Sequence, residues 1–210
     1  REGMNPPVIL THPLALSHLT EMRRFDTPPR RFRWHLHRLA EMLFLEASRS
    51  LDTSALRVLT PLAETAGAAL ARPIVLVPVL RAGLGLSEAI LPLVPDAVVA
   101  HLGIRRDEET AKPVPYYANL PAALAEADVF LLDPMLATGG SACAAAAQLK
   151  AAGARRMRMI NVVSCPEGLA ALGAEHPDVP VFTAALDDGL NEKCYIVPGL
   201  GDAGDRCFGT

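Results

Sequence analysis

The middle of the chain contains the segment Val129-Phe130-Leu131-Leu132-Asp133-Pro134-Met135-Leu136-Ala137-Thr138-Gly139-Gly140-Ser141. Its first four residues are apolar without a break, a pattern typical of a strand buried on both faces of a parallel sheet. Asp133 marks the end of the strand, and a Thr-Gly-Gly-Ser turn leads into an alanine-rich run, residues 142–152, that predicts a helix. Glycine lets a phosphate approach the free N–H groups and the positive dipole at such a helix start. The segment therefore predicts an anion site beside a carboxylate, and the alternative is an ordinary turn that Ser141 caps.

The segment resembles the phosphoribosyl pyrophosphate (PRPP) signature of the uracil phosphoribosyltransferases. Most members of the wider phosphoribosyltransferase class carry two adjacent acids here, and Pro134 replaces the second one. The uracil branch shares that departure. The resemblance implies that PRPP is bound by Asp133, Pro134, Met135, Leu136, Ala137, Thr138, Gly139, Gly140 and Ser141.

Composition narrows the class of protein. Half of the 210 residues are hydrophobic and a fifth are charged, which allows a substantial core and predicts a single domain over residues 1–210. The formal net charge is −3 without a basic run, so we expect no nucleic-acid partner. No stretch stays apolar over the roughly 18 residues of a membrane-spanning helix, so we expect no membrane partner. The four cysteines are widely spaced and no secretory leader is recognised, which predicts free thiols in a reducing, cytoplasmic compartment.

The amino-terminal region is predicted to be helical. Apolar residues recur at helical spacing over residues 12–26 and again from Pro28 to about Ser50, with Thr27 as the expected N-cap of the second helix. His35 and His37 lie in this second helix among several arginines. A solvated face is the favoured interpretation over a metal site, because no acidic or cysteine partner lies at ligand spacing.

A second buried strand is predicted over residues 74–80, followed by Arg81 and a Gly83-Leu84-Gly85 turn. Glu88 stands where a dinucleotide fingerprint needs its third glycine, so that interpretation is weak. An arginine before a glycine turn suits a diphosphate, since guanidinium pairs bidentately with phosphate oxygens. The stretch from Pro78 to Gly85 resembles the pyrophosphate loop of the uracil enzymes, and the alternative is a surface arginine.

Residues 98–104 predict a third strand, after which a charged, proline-containing excursion runs to Tyr117. Such a segment predicts an exposed hairpin or lid. It resembles the flexible hood of the family, in which Arg106 matches an arginine that reaches the diphosphate. Arg105 stands where an aromatic residue is expected and receives no role. The alternative is a solvated loop.

The remaining strands and helices alternate along the chain. Residues 157–163 and 179–185 predict strands, and residues 166–175 predict a helix. This rhythm predicts an α/β fold, with a mainly parallel central sheet flanked by helices, a helical amino-terminal addition and a hairpin hood. Ligands of such sheets bind beyond the carboxyl ends of the strands.

The carboxy-terminal tail is rich in glycine and predicts no ordinary helix or strand. Tyr195 to Arg206 resembles the uracil-binding segment of the family, and the alternative is a frayed terminus. The resemblance implies that uracil is read by backbone groups at Ile196, Gly201 and Ala203, while Asp202 faces both uracil and the ribose phosphate. Cys207 stands where tyrosine is common in the family.

The resemblance implies a specific reaction, uracil plus PRPP giving UMP and pyrophosphate in pyrimidine salvage, with Mg²⁺ as cofactor. It implies that Asp133 holds the ribose hydroxyls, that residues 137–141 cradle the 5′-phosphate, and that Arg81 and Arg106 clamp the diphosphate. No protein side chain is expected to bind the magnesium directly. A homodimer or higher homo-oligomer and a GTP effector are further implications. A PRPP-sensing regulator and transfer to another base are the open alternatives.

Overall fold

The computed structural model describes residues 6–106 and 113–210, and of Arg106 the backbone alone. The helices are α1 Pro13–Arg23, α2 Pro29–Ser48, α3 Leu84–Ile90, α4 Gly140–Ala151, α5 Pro166–Glu175 and α6 Ala203–Phe208. Short 3₁₀ turns lie at Leu91–Leu93 and Leu124–Glu126. The strands are β1 Val8–Ile9, β2 Thr53–Leu59, β3 Glu64–Leu70, β4 Ile74–Leu80, β5 Val98–Val99, β6 Leu102–Arg106, β7 Pro113–Ala118, β8 Asp128–Leu132, β9 Met135–Leu136, β10 Arg156–Ser164, β11 Val181–Leu186, β12 Gly189–Leu190 and β13 Ile196–Val197.

The central sheet is parallel except at one edge. Its order is β1-β11-β10-β8-β4-β6-β7, with β5 beside β4 and β9 beside β10. Only β7 runs antiparallel in this sheet, as far as the described strands show, and it pairs with β6 in the predicted hairpin. The predicted mainly parallel sheet is confirmed.

Successive side chains of each strand point to opposite faces of the sheet. Both faces of the central strands carry apolar side chains, and helices cover both. One face of β4 and β8, with Leu76 and Phe130, packs against α1, α2 and α3. The other face, with Val77 and Leu131, packs against α4 and α5. The alanine-rich α4 lies close to the sheet, and Ala145 and several neighbours are fully buried.

Several details of the amino-terminal region differ from the sequence-based expectation. Pro28 precedes the first residue of α2, so the prediction that Thr27 caps the helix is wrong, and the Thr27 hydroxyl instead donates to Glu21 O at 2.6 Å. His35 is buried rather than solvated, and its Nδ1 lies 3.0 Å from Nδ1 of His18. Periodicity predicted the helix but could not show that α1 covers this side of α2.

The antiparallel hairpin of β2 and β3 has no counterpart in the sequence-based expectation. All of β2 is exposed, and so is all of β3 except the half-buried Gly67. Neither strand has the buried apolar run by which β4 and β8 are recognised. The predicted strand over residues 98–104 is also divided into β5 and β6, between which Ala100 N donates to Leu76 O at 2.8 Å.

The central strands place their carboxyl ends side by side. Pro78 of β4 pairs with Leu132 of β8, and Leu80 pairs with Gly103 of β6. Arg81 and Asp133 directly follow β4 and β8, and Arg106 is the last residue of β6. The fold therefore gathers the predicted ligand-binding segments at one edge of the sheet.

Candidate active site

The turn after β8 forms a small pocket at the start of α4. Gly139 is the N-cap of α4 with a φ of +82°, so the alternative of an ordinary turn that Ser141 caps does not hold. A Cβ on Gly139 would come within 2.7 Å of the Ala171 Cβ, which leaves room only for glycine. A cavity of about 110 Å³ lies over the turn and is lined by Asp133, Met135, Leu136, Ala137, Thr138, Gly139, Ser141 and Ala142. The helix start and the glycine backbone make this cavity suitable for a phosphate.

Asp133 lies at the junction of this cavity and a larger one. Its Oδ1 accepts a hydrogen bond from Met135 N at 3.3 Å. Burial raises the pKa of Asp133 to about 7, with a further contribution from the nearby Asp202 carboxylate. Burial therefore disfavours the charged form of this carboxyl in the ligand-free protein. Hydroxyl donors or added positive charge in the cavity would favour its charged form.

The larger cavity has a volume of about 330 Å³ and joins the central turn to the tail. It shares Asp133, Met135 and Ala137 with the small cavity. The predicted base-binding residues Ile196, Gly201, Asp202 and Ala203 line its other side. The structure thus places the predicted ribose, phosphate and base positions around two cavities that share lining residues.

Arg81 lies at the rim of this space. Its neighbour Ala82 lines the larger cavity, whereas the Arg81 side chain is 58% exposed. The guanidinium is 3.5 Å from Asp205 Oδ1 and 5.7 Å from the centre of the Phe208 ring. A Cβ on Gly83 would overlap the carbonyl oxygen of Leu132, so glycine lets this loop pack directly on the end of β8.

Arg106 ends β6, the strand next to β4. The prediction that its side chain reaches the diphosphate lies outside the described residues, as does the central part of the hood, residues 107–112. After residue 112, Pro113 begins β7. It lies close to the turn over residues 137–141, since a Cβ on Gly140 would stand 3.6 Å from the Pro113 ring.

Asp202 has a structural contact as well as a place in the cavity. Its Oδ1 accepts a hydrogen bond from Asp205 N at 2.9 Å and so caps α6. Among the residues that the structure describes, no three His, Cys, Asp or Glu side chains form a metal-binding group. Two carboxylates facing one cavity nevertheless suit Mg²⁺ that is held mainly by phosphate and water, because Mg²⁺ prefers oxygen ligands and keeps several waters.

The tail is more regular than its composition predicted. Ile196–Val197 pairs with Gly189–Leu190, and Ala203–Phe208 is helical, so the expectation of no ordinary helix or strand is wrong. Positive φ angles at Gly199, Gly201 and Gly209 bracket these short elements. The capping pair Asp202 and Asp205 was the signal for α6, and the surrounding glycines obscured it.

Five cavity residues were not identified from the sequence, namely Ala82, Lys193, Cys194, Tyr195 and Gly204. Lys193, Cys194 and Tyr195 lie in the turn between β12 and β13. Asn191 shapes this turn, because its Oδ1 accepts hydrogen bonds from Lys193 N at 3.0 Å and Tyr195 N at 2.9 Å. An asparagine that starts a turn is a recognisable sequence signal for such a conformation.

Comparison with known proteins decides the family. The family model described as uracil phosphoribosyltransferase matches residues 9–210. A relative named uracil phosphoribosyltransferase, from Roseiflexus sp. (strain RS-1), is 50% identical over 203 residues, covering 97% of this chain and 98% of the relative.

The chain belongs to the uracil phosphoribosyltransferase family.

Other similarities agree with this assignment. A uracil phosphoribosyltransferase of Thermoanaerobacter sp. (strain X514) is 45% identical over 203 residues, covering 96% of this chain and 97% of that one. The solved structure of the AQ2163 protein from Aquifex aeolicus has a TM-score of 0.91 at 37% identity and covers 97% of this chain and 98% of its own. The purine phosphoribosyltransferase of Pyrococcus horikoshii Ot3 covers 74% of this chain and 85% of its own. Its TM-score of 0.52 at 16% identity indicates a shared fold alone.

The family and the phosphoribosyltransferase-like fold expected from the sequence are therefore confirmed. The predicted free thiols are also present, since Cys143, Cys165, Cys194 and Cys207 form no disulfide. None of the described helices is both long enough and apolar enough to cross a membrane.

Proposed function

We propose that this member of the uracil phosphoribosyltransferase family transfers the phosphoribosyl group of PRPP to uracil, giving UMP and pyrophosphate. The observation that supports this most directly is the meeting of two cavities at Asp133. One lies over a glycine turn at a helix start, and the other is lined by the tail that resembles a uracil-binding segment. A substrate with a phosphate at one end and a base at the other would fill both.

Each group of residues has a proposed role. The turn over residues 137–141 binds the 5′-phosphate, and Asp133 accepts hydrogen bonds from the ribose hydroxyls. Arg81 and Arg106 bind the diphosphate. Because Arg81 is exposed and paired only loosely with Asp205, its guanidinium is available for a ligand. Asp202 acts on the same side of the cavity through bound water.

Catalysis in this proposal depends on positioning and charge. The bond from C1′ to the diphosphate oxygen breaks, the ribose gains positive character, and N1 of uracil forms the new bond to C1′. The N1 proton leaves to water or to the pyrophosphate, and no side chain is assigned as a general base. Mg²⁺, carried by PRPP, would neutralise charge on the departing diphosphate, and Asp133 and Asp202 suit a shell of magnesium-bound water.

We also propose a cellular compartment, an oligomeric state and an effector. Free thiols favour a reducing compartment such as the cytoplasm. Exposed apolar residues of the amino-terminal helices and of the β2–β3 hairpin support a homo-oligomer. Regulation by GTP is carried by the family resemblance alone, and activity measured with and without GTP tests it.

The test of the activity is the release of pyrophosphate from PRPP and Mg²⁺ with each nucleobase added in turn. We expect release with uracil. A PRPP-sensing regulator would bind PRPP without any release, and an enzyme for another base would respond to that base instead. Activity lost on omission of Mg²⁺ and restored by its return would support the cofactor assignment.

A further inference from the structure

A ring of hydrogen bonds outside the cavities joins α1 to the tail. The two terminal nitrogens of Arg23 donate to the two carboxylate oxygens of Asp187, each at 2.7 Å. Asp187 Oδ2 also accepts from Gly199 N at 2.8 Å, and Gly199 O accepts from Arg23 Nη1 at 2.8 Å. Both polar groups of Gly199 are thus bound by one ion pair, which fixes the position and the orientation of this residue.

The ion pair is largely withdrawn from water. The side chains of Arg23 and Asp187 are only 26% and 5% exposed. Burial raises the pKa of Asp187, but the hydrogen bonds from Arg23 and from Gly199 N outweigh it, so the pKa lies below its usual value. Asp187 therefore stays charged at neutral pH, and the removal of either partner would leave a buried, unpaired group.

Gly199 lies between the residues that form the base side of the cavity. Ile196 precedes it, and Gly201 and Ala203 follow it along the chain, all three lining the cavity. The turn is tight, because Gly199 has a φ of +56° and a Cβ on it would overlap the carbonyl oxygen of Ile196. A displacement of Gly199 would consequently move the neighbouring backbone groups that face the base.

Arg206 attaches the other side of the same segment to α1. Its guanidinium donates to the carbonyls of Met22 and Arg24, and to Leu200 O at 2.8 Å, and it lies 4.6 Å from the centre of the Phe32 ring. Two arginines therefore join the end of α1 to the tail, Arg23 from the helix and Arg206 from the tail. Asp187 itself directly follows β11, so the tail is held between this helix and the end of the sheet.

We propose that Arg23 and Asp187 are positioning residues for base recognition, an inference that rests on the proposed transfer to uracil. Neither side chain lines the base cavity or the phosphate cavity. The hydrogen bonds of the two side chains join them to each other and to Gly199, and none of these bonds involves residues 137–141. The pair therefore sets the affinity and selectivity for the base while leaving the binding of PRPP nearly unchanged.

The experiment compares Arg23→Gln, Asp187→Asn and the double variant with the unaltered protein, using KM and kcat for uracil and for PRPP. We expect KM for uracil to rise on the order of 10-fold, since small misplacements of binding groups have effects of this size or more. KM for PRPP should stay within about 2-fold, and selectivity for uracil over cytosine should fall. Because the two residues act as a unit, KM for uracil of the double variant should be no higher than that of the more impaired single variant.

Arg24→Gln is the matched control. Arg24 also forms a two-bonded pair, with Asp26 at 3.0 and 2.9 Å, but this pair is on the surface, and only the backbone of Arg24 contacts the tail. Its kinetics should match those of the unaltered protein. Arg23→Lys keeps the charge but loses the two-bonded geometry, so it should fold. Its KM for uracil should rise less than that of Arg23→Gln, while its KM for PRPP stays nearly unchanged.

The possible outcomes are distinct. Equal rises in both KM values, or a fall in kcat alone in proportion to the folded fraction, would mean that the pair has only a structural role and would overturn the proposal. Should the Gln and Asn variants fail to fold, the kinetics of Arg23→Lys decide between the same two results. Absence of uracil transfer in the unaltered protein and in Arg24→Gln would instead refute the proposed function itself.

Discussion

In the ligand-free protein, the environment of Asp133 disfavours the charged form of its carboxyl. A carboxyl in water ionises well below neutral pH, whereas burial and the Asp202 carboxylate raise the pKa of Asp133 to about 7. Such a shift is common where a group is arranged for a ligand rather than for stability. Two predictions follow from this environment.

The first concerns activity. Asp133→Asn keeps the shape of the side chain but removes its charge and one acceptor. We expect kcat/KM for PRPP to fall by about 10- to 100-fold, because a lost charge-assisted hydrogen bond costs roughly 1.5–3 kcal/mol. Circular dichroism should show an intact fold. Nearly unchanged use of PRPP by the folded variant would contradict the role of Asp133 at the ribose.

The second concerns stability and pH. The folded-state pKa of about 7 lies above the ordinary value of 3.8, so the stability that the uncharged Asp133 contributes is complete below about pH 4 and lost as the pH rises to 7. Asp133→Asn cannot titrate and should gain stability relative to the unaltered protein over that window. We expect a gain on the order of 1–3 kcal/mol, reduced by the partial exposure of the carboxyl.

Urea unfolding of both proteins at about pH 4.5 and about pH 8 measures this difference. The gap in free energy of unfolding should be larger at the higher pH. An equal gap at both pH values would show that the environment of Asp133 does not disfavour its charge.

Cys194 carries the third prediction, because it has a φ of +62° and is the described non-glycine residue with a positive φ. A side chain in this region costs about 1–2 kcal/mol, part of which glycine returns through its greater freedom in the unfolded chain. Cys194→Gly should therefore raise the free energy of unfolding by up to about 1 kcal/mol. Cys194→Ala, which keeps the Cβ, is the control and should give no such gain by urea unfolding.

At the scale of elements, the tail works as one unit. Residues of β13, of the turn that follows it and of α6 line the larger cavity on the side that we propose binds the base. Their attachment through Arg206 and Asp187 holds backbone groups rather than side chains in place. A peptide N–H cannot become an acceptor, so the hydrogen-bonding polarity of such a surface is fixed.

The fourth prediction is that uracil is used and cytosine is rejected. Uracil offers an acceptor at position 4 and a donor at position 3, and cytosine reverses both. Cytosine would leave buried groups unpaired, and sites of this kind discriminate by about 10⁴ or more. Thymine adds only a methyl group, so we expect weaker discrimination there. Similar kcat/KM values for uracil and cytosine with PRPP would mean that the tail does not recognise the base edge.

At the scale of the whole molecule, the exposed β2–β3 hairpin needs an explanation. A lone two-stranded hairpin is only marginally stable in water. This hairpin exposes Leu59 and Leu62 almost completely, at 84% and 95%. Most apolar residues of α1 and α2 lie in the core, although Leu14, Trp34 and Leu45 remain more than half exposed. The hairpin is therefore the stronger basis for an interface with a second copy of the chain.

The fifth prediction is self-association, at least to a dimer. Light scattering at micromolar concentration should give twice the chain mass of 22.4 kDa or more. Replacing both Leu59 and Leu62 with serine should weaken association by about 100-fold or more, since each buried leucine contributes roughly 1.5–3 kcal/mol. Arg57→Gln, on the same hairpin, is the control. A mass of one chain for the unaltered protein would contradict the prediction.

The sequence by itself determined the elements whose signals are local. The apolar run before Asp133 predicted β8, and the helix Pro166–Glu175 was predicted with the bounds that it has. Glycine turns and strand ends likewise identified Arg81 and Asp133 as neighbours at one edge of a parallel sheet. These features depend on a few adjacent residues, so a single segment carries enough information to predict them.

Only the tertiary structure decided what depends on distant partners. The β2–β3 hairpin lacks a buried pattern, and α6 is too short to stand out among glycines. The pair Arg23–Asp187 joins residues 164 positions apart, and the pKa of Asp133 is raised by its burial in the fold and further by the carboxylate of Asp202. Such contacts arise when strand order and helix packing bring separate segments together. Burial and electrostatic energy depend on that arrangement, which no local pattern of residues contains.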